Sequence, residues 1–166
     1  MEVWLLQALV PTLETAFGAE VEMVDPIPLP REAYNRSRDQ HRSAVLLDVL
    51  AKHTLSDWQR LLGITDVDLY TPDLNFVFGE ADAKRGVAVF SLSRLHATDH
   101  DRFVRRAATE AIHELAHTYG LSHCSNSRCV MWFSNTLDET DRKGTRFCAM
   151  HATKLQEALG KHDTKP

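Results

Sequence analysis

The stretch HELAHTYGLSH, which begins at His113, constrains this chain more than any other feature of the sequence. His113 and His117 are four residues apart, so on a helix both imidazoles project from one face and can bind one metal ion. Glu114 lies beside His117 and can take a proton from the water on that metal without binding the metal itself. Gly120 permits the left-handed turn that ends the helix, and His123 can then fold back as a third ligand. The pattern predicts a catalytic zinc site with one open coordination position.

Cys124 follows His123 directly, and a second metal site explains why two zinc-binding residue types are neighbours. In an extended stretch, consecutive side chains point to opposite sides, so adjacent ligands are poorly placed to share one small tetrahedral ion. Cys124, Cys129, Cys148 and His151 together make a closed Cys₃His set, which is typical of structural zinc. A Cys124–Cys129 disulfide and unpaired buried thiols remain as alternatives.

The composition indicates one globular domain. A chain of 166 residues with 43% hydrophobic and 25% charged residues can bury one substantial core, whereas each half alone would struggle to do so. We therefore expect a single domain over residues 1–166. Residues 1–120 would hold the sheet and the helices, including the one that carries the motif. Residues 121–166 would hold the second metal site and a last helix.

Charge and hydropathy exclude several partners. A formal net charge of −4 argues against nucleic acid, because phosphate contacts need a basic face. No apolar run approaches the roughly 20 residues of a membrane span, and the N-terminus lacks the features of a signal peptide. Three cysteines, an odd number, fit a reducing compartment. We expect a cytoplasmic protein, monomeric, with peptide or protein as its partner.

Hydrophobic periodicity predicts a mixed α/β (α+β) fold with one twisted mixed sheet of about five strands. A βαβ unit would open the chain, with strands at 3–9 and 19–24 around a short helix that Pro11 begins and Gly18 ends. The other predicted strands lie at 66–70, 75–79 and 86–92. The other predicted helices lie at 39–53, 57–63 (capped by Ser56 and ended by Gly63), 96–120 (capped by Thr98 or Asp99) and 149–160.

The extended motif is the metzincin signature, and the chain resembles the archaemetzincin family. The resemblance rests on HELAHTYGLSHC, on CSNSRC with VM directly after it, on FSN at 133–135, and on CAMH at 148–151 followed by KL. YNRSRDQH at 34–41 and GITDVDLYTPDLNFVFGEA at 63–81 extend it over most of the chain. It implies a small metzincin-like domain with one catalytic and one structural zinc, and peptidase activity.

The resemblance also assigns single residues. Met131, eight residues after His123, would be the methionine that metzincins place in a tight turn below the zinc. The family pattern ends C-x-x-C, whereas this chain has His151 in place of the last cysteine. Imidazole is a competent zinc ligand, so we expect the site to survive, with His162 as a reserve ligand.

Three functions fit this pattern. The first is a zinc-dependent peptidase in which Glu114 activates the attacking water. The second is a non-catalytic, zinc-stabilised binding module, and the third is a zinc amidase that acts on a non-peptide substrate. The intact Glu114 favours an enzyme, since a pure scaffold needs no base there. An extended substrate could pair with an edge strand near GVAVFSL or NFVFG. Trp132 and Phe133 are either pocket or core residues, and Tyr119 is expected in the core.

Overall fold

The described part of the chain, residues 3–160 of a computed structural model, opens with a helix where the sequence predicts a strand. Helix α1 (Val3–Phe17) contains Pro11 in its interior. Leu5, Leu9, Leu13 and Phe17 recur every fourth residue along it, and each is at most 6% exposed. This apolar stripe at helical spacing outweighs the local strand propensity and the proline. Residues 19–24 form no strand either, so the predicted βαβ unit is wrong.

Within residues 3–160, four further α-helices, one short 3₁₀ helix (Arg31–Ala33) and six short strands follow. The helices are α2 (Ser43–His53), α3 (His100–Thr118), α4 (Leu137–Lys143) and α5 (Ala149–Gly160). The strands are β1 (Tyr34–Asn35), β2 (Gln40–Arg42), β3 (Leu61–Thr65), β4 (Leu69–Tyr70), β5 (Gly79–Asp82) and β6 (Val87–Ser91). The mixed α/β class is confirmed, and the predicted motif helix and last helix lie where α3 and α5 are.

The strands form two small sheets rather than one of about five strands. One sheet has the order β3-β6-β5, with β3 parallel and β5 antiparallel to the central β6. The other has the order β1-β2-β4, with β2 parallel to β4. Side chains of β6 alternate between two apolar clusters: Phe90 packs in the cluster that contains α1 and α3, and Val87 and Val89 pack in the cluster that contains α2. The first sheet therefore lies between α2 and α3.

The predicted helix at 57–63 is wrong, because its last residues belong to β3. Gly63 is not a helix stop but a strand residue over which α2 packs closely. A Cβ atom at Gly63 would lie 2.8 Å from Cδ1 of Leu50, so any larger residue would force the Leu50 side chain to shift.

Helix α4 is not among the helices predicted from the sequence, although its start carries a recognisable signal. The Thr136 hydroxyl accepts from the Glu139 N–H, and the Glu139 carboxylate accepts from the Thr136 N–H in return. This is the capping box that T-x-x-E predicts. No helix in the described part of the chain is long and apolar enough to cross a membrane.

Candidate metal centres

Helix α3 carries the first half of the candidate site. The Asp99 side chain caps it by accepting from the Arg102 N–H at 2.6 Å, as the sequence predicts. The helix ends at Thr118, and Gly120, two residues further on, has a φ of +83° in the left-handed region. The Gly120 N–H donates to the His117 carbonyl at 2.9 Å. This turn directs the chain back along the helix toward His113.

The turn brings three imidazoles together. One ring nitrogen from each of His113, His117 and His123 lies within 4.8 Å of the other two. His113 is buried, His117 is half-buried and His123 is exposed. The cluster therefore opens to solvent on the side of His123, where a substrate can approach.

The hydrogen bonds of the two helical histidines select the tautomer that can bind a metal. His113 Nδ1 lies 2.7 Å from the Val130 carbonyl oxygen, and His117 Nδ1 lies 2.7 Å from the Leu121 carbonyl oxygen. A carbonyl only accepts, so each Nδ1 carries the proton and each Nε2 presents a lone pair. The two Nε2 atoms are 3.1 Å apart. Two lone pairs at this distance repel each other unless a cation binds both, so the residues fit a zinc ion.

The pKa values of the imidazoles agree with that reading. Burial lowers the pKa of His113 well below its usual value, and the nearby charges of Lys143 and His117 act in the same direction. Burial also lowers the pKa of His117 to about 4. Both rings are therefore neutral at neutral pH, which is the form that binds metal.

Glu114 is buried beside this cluster and touches β5. A Cβ atom at Gly79 would lie 2.6 Å from Cγ of Glu114, so a glycine is required where the strand passes the carboxylate. Burial raises the pKa of Glu114 well above its usual value, and the neighbouring carboxylate of Glu110 raises it further. Among the described residues, none donates a hydrogen bond to the Glu114 carboxylate, so it can exchange a proton with a bound molecule.

The four residues of the predicted Cys₃His set form the second cluster. Their ligand atoms lie within 4.8 Å of one another, and Cys124, Cys129 and His151 are buried. Cys124 Sγ is 3.8 Å from Cys148 Sγ, far beyond a disulfide bond, and all three cysteines are free thiols. The Cys148 N–H donates to Cys129 Sγ at 3.3 Å, which positions that sulfur toward the others.

His151 presents the correct nitrogen to the three sulfurs. Its Nε2 lies 3.0 Å from the Ser122 carbonyl oxygen and so carries the proton, which leaves the Nδ1 lone pair free. That Nδ1 lies 3.3 Å from Cys148 Sγ. A hydrogen bond from the His151 backbone N–H lowers the pKa of the Cys148 thiol to about 6. Three thiols and one oriented imidazole fit a tetrahedral zinc ion.

His123 and Cys124 contribute to different clusters, as the alternation argument predicts. The Cys124 N–H donates to the Met131 carbonyl at 2.9 Å, which joins the two ends of the segment between them. The Trp132 N–H donates to the Cys129 carbonyl at 2.9 Å, so Met131 sits in a tight turn, and its side chain is fully buried. His162 lies outside the described residues.

The three aromatic residues considered from the sequence differ in their exposure and surroundings. Phe133 is 44% exposed, and its ring centroid lies 5.0 Å from that of His123, so it borders the open side of the cluster. Trp132 is half-buried beside the Met131 turn. Tyr119 packs on the core, where its ring stacks on Phe17 at 5.6 Å, as the sequence predicts.

Two buried charges near His113 have no counterpart in the sequence analysis. Lys143 Nζ lies 3.1 Å from Glu110 Oε1, and these side chains are only 1% and 2% exposed. Glu110 is one helical turn before Glu114 on α3, a spacing that could have drawn attention to it. Lys143 lies in a polar segment, and nothing in its local sequence predicts burial.

Comparison with known proteins gives the family. A model of Peptidase family M54 matches residues 30–157. The chain belongs to peptidase family M54. An archaemetzincin from Methanopyrus kandleri is 44% identical over 131 residues, which cover 79% of this chain and 74% of that protein. One from Archaeoglobus fulgidus is 38% identical over 151 residues, 91% of each chain. Both confirm the resemblance seen in the sequence.

Solved structures agree with the M54 assignment. The crystal structure of archaemetzincin from Methanopyrus kandleri superposes with a TM-score of 0.89 at 37% identity and covers 95% of this chain and 87% of that one. A zinc-dependent peptidase from Methanocorpusculum labreanum gives a TM-score of 0.85 at 29% identity, covering 93% and 95%. Family membership makes this M54 chain a zinc metallopeptidase.

Proposed function

We propose that the chain hydrolyses peptide bonds at a catalytic zinc held by His113, His117 and His123, with Glu114 as the general base and acid. The observation that carries this proposal is the cluster of three imidazole nitrogens, two of them with lone pairs 3.1 Å apart, next to a buried carboxylate. This is the donor set of the HExxHxxGxxH pattern, which leaves one coordination position open.

The chemistry divides between the metal and Glu114. Zinc in this site would polarise the substrate carbonyl and lower the pKa of a water molecule. The Glu114 carboxylate then accepts a proton from the attacking water and delivers it to the nitrogen of the departing amine. Because burial raises the pKa of Glu114, its protonated form is stable enough to hold that proton between the two transfers.

The second zinc has a structural role in this proposal. Cys124, Cys129, Cys148 and His151 would hold it in a closed site with no position for substrate. The ion would fix the segment between Cys124 and His151, which has few apolar residues, and with it the turn that contains Met131. Metal binding would contribute directly to the folding free energy of this region. We also propose that residues 1–166 form a single metzincin-like domain around both ions.

In this proposal the substrate is an extended peptide that lies along β5. Of the two stretches considered from sequence, GVAVFSL contains β6, which is central in its sheet and cannot accept another strand. NFVFG is not a strand along its length, but its last residue, Gly79, begins the edge strand β5. Gly79 of β5 passes directly over Glu114, which places this edge beside the base. Main-chain hydrogen bonds along β5 would align the scissile bond, and Phe133 offers an apolar surface to a neighbouring side chain.

The substitution Glu114→Gln tests the catalytic assignment. The amide keeps the shape of the side chain but cannot accept the proton, so we expect hydrolysis of a peptide library to fall at least about 100-fold. Zinc per chain, measured by plasma mass spectrometry, should stay at the wild-type value. Glu157 is exposed, so Glu157→Gln serves as a matched control, and we expect it to keep full activity. Hydrolysis by Glu114→Gln at the wild-type rate would exclude Glu114 as the base.

A panel of acyl-amides run alongside the peptides separates the peptidase from the amidase. Cleavage of peptides with Glu114 dependence supports the peptidase. Cleavage of non-peptide amides alone would establish the alternative. A chain that binds zinc at both sites and cleaves neither class would be the non-catalytic binding module.

A further inference from the structure

A buried ion pair lies directly beneath the three-histidine cluster. Lys143, the last residue of α4, reaches under α3, where its Nζ is 3.1 Å from Glu110 Oε1 and 3.4 Å from His113 Nδ1. The Thr140 hydroxyl donates to the same Glu110 oxygen at 3.2 Å. The ammonium therefore contacts both the partner carboxylate and the side of the His113 ring that faces away from the other two histidines.

Such a pair does not stabilise a protein simply by being buried. Desolvation of two charges offsets most of their attraction, and apolar replacements of similar size are often neutral or stabilising. The carboxylates of Glu110 and Glu114 lie one helical turn apart on the same helix, so Glu110 without its partner would place a second negative charge near the base. The location of Lys143, rather than the energy of the pair, indicates its role.

The contact with His113, at 3.4 Å, is a steric restraint and not a hydrogen bond. Because His113 Nδ1 carries the proton that it donates to Val130, it has no lone pair to accept from Lys143. The ring edge is therefore held between the Val130 carbonyl and the ammonium. Lys143 in turn cannot move, since Glu110 fixes it on the other side.

We propose that Lys143 is a positioning residue for the catalytic metal site: anchored by Glu110, it holds the His113 imidazole in the orientation that directs Nε2 toward His117 and His123. This inference rests on the proposed function of the three histidines. It gives α4 a second role besides packing on the core, because its Lys143 supports the ligand His113 on α3.

A second ion pair between the same two helices provides a matched control. Arg106 of α3 donates two hydrogen bonds of 2.7 Å to Asp141 of α4. It precedes His113 by seven residues, about 10 Å along the helix. Asp141→Asn removes a link between α3 and α4 without touching the histidine cluster. Lys143→Met removes the link that contacts His113.

The test is a competition for zinc against a chromophoric chelator, with His117→Ala as the baseline that retains only the zinc of the cysteine site. We expect Lys143→Met to release the remaining zinc at a 10- to 100-fold lower chelator concentration than wild type, as is usual for residues that support a ligand. Cobalt(II) bound in place of that zinc should show shifted d–d absorption. Asp141→Asn should match wild type in both measurements.

Three results overturn the proposal. The first is that Lys143→Met is folded, as judged by circular dichroism, binds zinc with wild-type affinity and gives the wild-type cobalt spectrum. The second is that Asp141→Asn loses as much zinc affinity as Lys143→Met does. Lys143 would then only link the two helices. Wild type that holds no more zinc than His117→Ala would overturn the proposed function as well, so the two failures are distinguishable.

A double variant covers the case in which Lys143→Met leaves Glu110 unpaired and does not fold. Glu110→Leu with Lys143→Met removes both charges together, so no uncompensated charge remains buried. We expect this variant to fold and still to lose zinc affinity 10- to 100-fold. Wild-type zinc affinity in the double variant would overturn the proposal.

Discussion

Gly79 lies where a strand of the sheet passes the base, and this contact leaves no space for any side chain. A methyl group there would come within 2.6 Å of Glu114 Cγ and 2.7 Å of the Val89 carbonyl oxygen. One of them has to move, and the Glu114 side chain shifts more easily than the Val89 backbone, which is paired in the sheet. The placement of the Glu114 carboxylate therefore depends on a residue that has no functional group.

Gly79→Ala should lower kcat for peptide hydrolysis by roughly 100-fold, because a displacement of about 1 Å of a catalytic group can cost that much. Zinc content should remain at the wild-type value, since the three atoms nearest to an added Cβ belong to Glu114 and Val89 and not to a candidate ligand. Gly160→Ala is the control, because a Cβ atom there meets nothing within 4 Å. Wild-type kcat in Gly79→Ala would mean that Glu114 is not held by this contact.

The candidate ligands could be predicted from sequence because each lies at a short, fixed spacing within one local segment. His113 and His117 share a helical face, and Gly120 determines where His123 goes. Cys148 and His151 make a second local pair. By contrast, Gly79, Glu110 and Lys143 become neighbours of the site only through tertiary packing. Their contacts depend on how β5 and α4 lie against α3, which no local pattern encodes.

At the scale of elements, the errors concern segments whose local signals conflict. Pro11 and the apolar run at 3–9 favour a strand followed by a new helix, whereas the spacing of four buried residues favours one continuous helix, and tertiary burial decides for α1. LLGIT contains a glycine that resembles a helix stop, but its contact with Leu50 shows that the glycine serves close packing in β3. Helix α3, with a strong cap and a consistent apolar face, presents no such conflict.

The link between α3 and α4 should contribute to stability in a pH-dependent manner. Hydrogen bonds from Arg106 hold the pKa of Asp141 below its ordinary value. The Asp141 contribution is therefore complete above about pH 4, the ordinary carboxyl pKa, and is lost as the pH falls through the lowered folded-state value. Asp141→Asn should lower the free energy of unfolding at pH 7 by about 1–2 kcal/mol, as expected for a charged hydrogen-bonded pair.

Urea denaturation of wild type and Asp141→Asn at pH 7, 5 and 3.5 measures this difference. The gap between the two proteins should be the same at pH 7 and 5 and should narrow at pH 3.5. The exposed Asp73→Asn should match wild type throughout. A gap that widens toward acid pH would contradict the assignment of the stabilising charge to Asp141.

At the scale of the whole molecule, a large cavity lies apart from both candidate metal clusters, since none of the seven candidate ligands lines it. A cavity of about 1090 Å³ separates β3 from the segment 18–30, with α1 forming one wall. The Leu61 N–H donates to the Gly86 carbonyl, and the Thr65 carbonyl accepts from the Leu92 N–H. The backbone groups of every second residue of β3, starting at Leu61, therefore point toward β6. Leu62 and Ile64 therefore direct their backbone groups into the cavity. In the described part of the chain, these groups have no hydrogen-bond partner.

This arrangement explains why the alternating sequence at 19–24 does not become a strand. The cavity separates residues 19–24 from β3. The other strand that a βαβ unit needs is also absent, because residues 3–9 are helical. A segment with a strand pattern forms a strand only where the edge of another strand lies next to it, and this depends on the tertiary fold. The sequence therefore predicts a segment that could be a strand without predicting whether it has a partner.

Amide hydrogen exchange followed by NMR tests this edge of the sheet. We expect alternating protection along β3, with Gly63 and Thr65 slow and Leu62 and Ile64 fast, because only the first two donate to β6. The central strand β6 is paired on both sides, so Val87–Ser91 should be slow throughout and serves as the internal reference. Slow exchange at Leu62 and Ile64 would contradict the open edge. It would mean that another segment pairs with β3 in solution, and residues 19–24, which have the strand pattern and border the same cavity, are the nearest candidate.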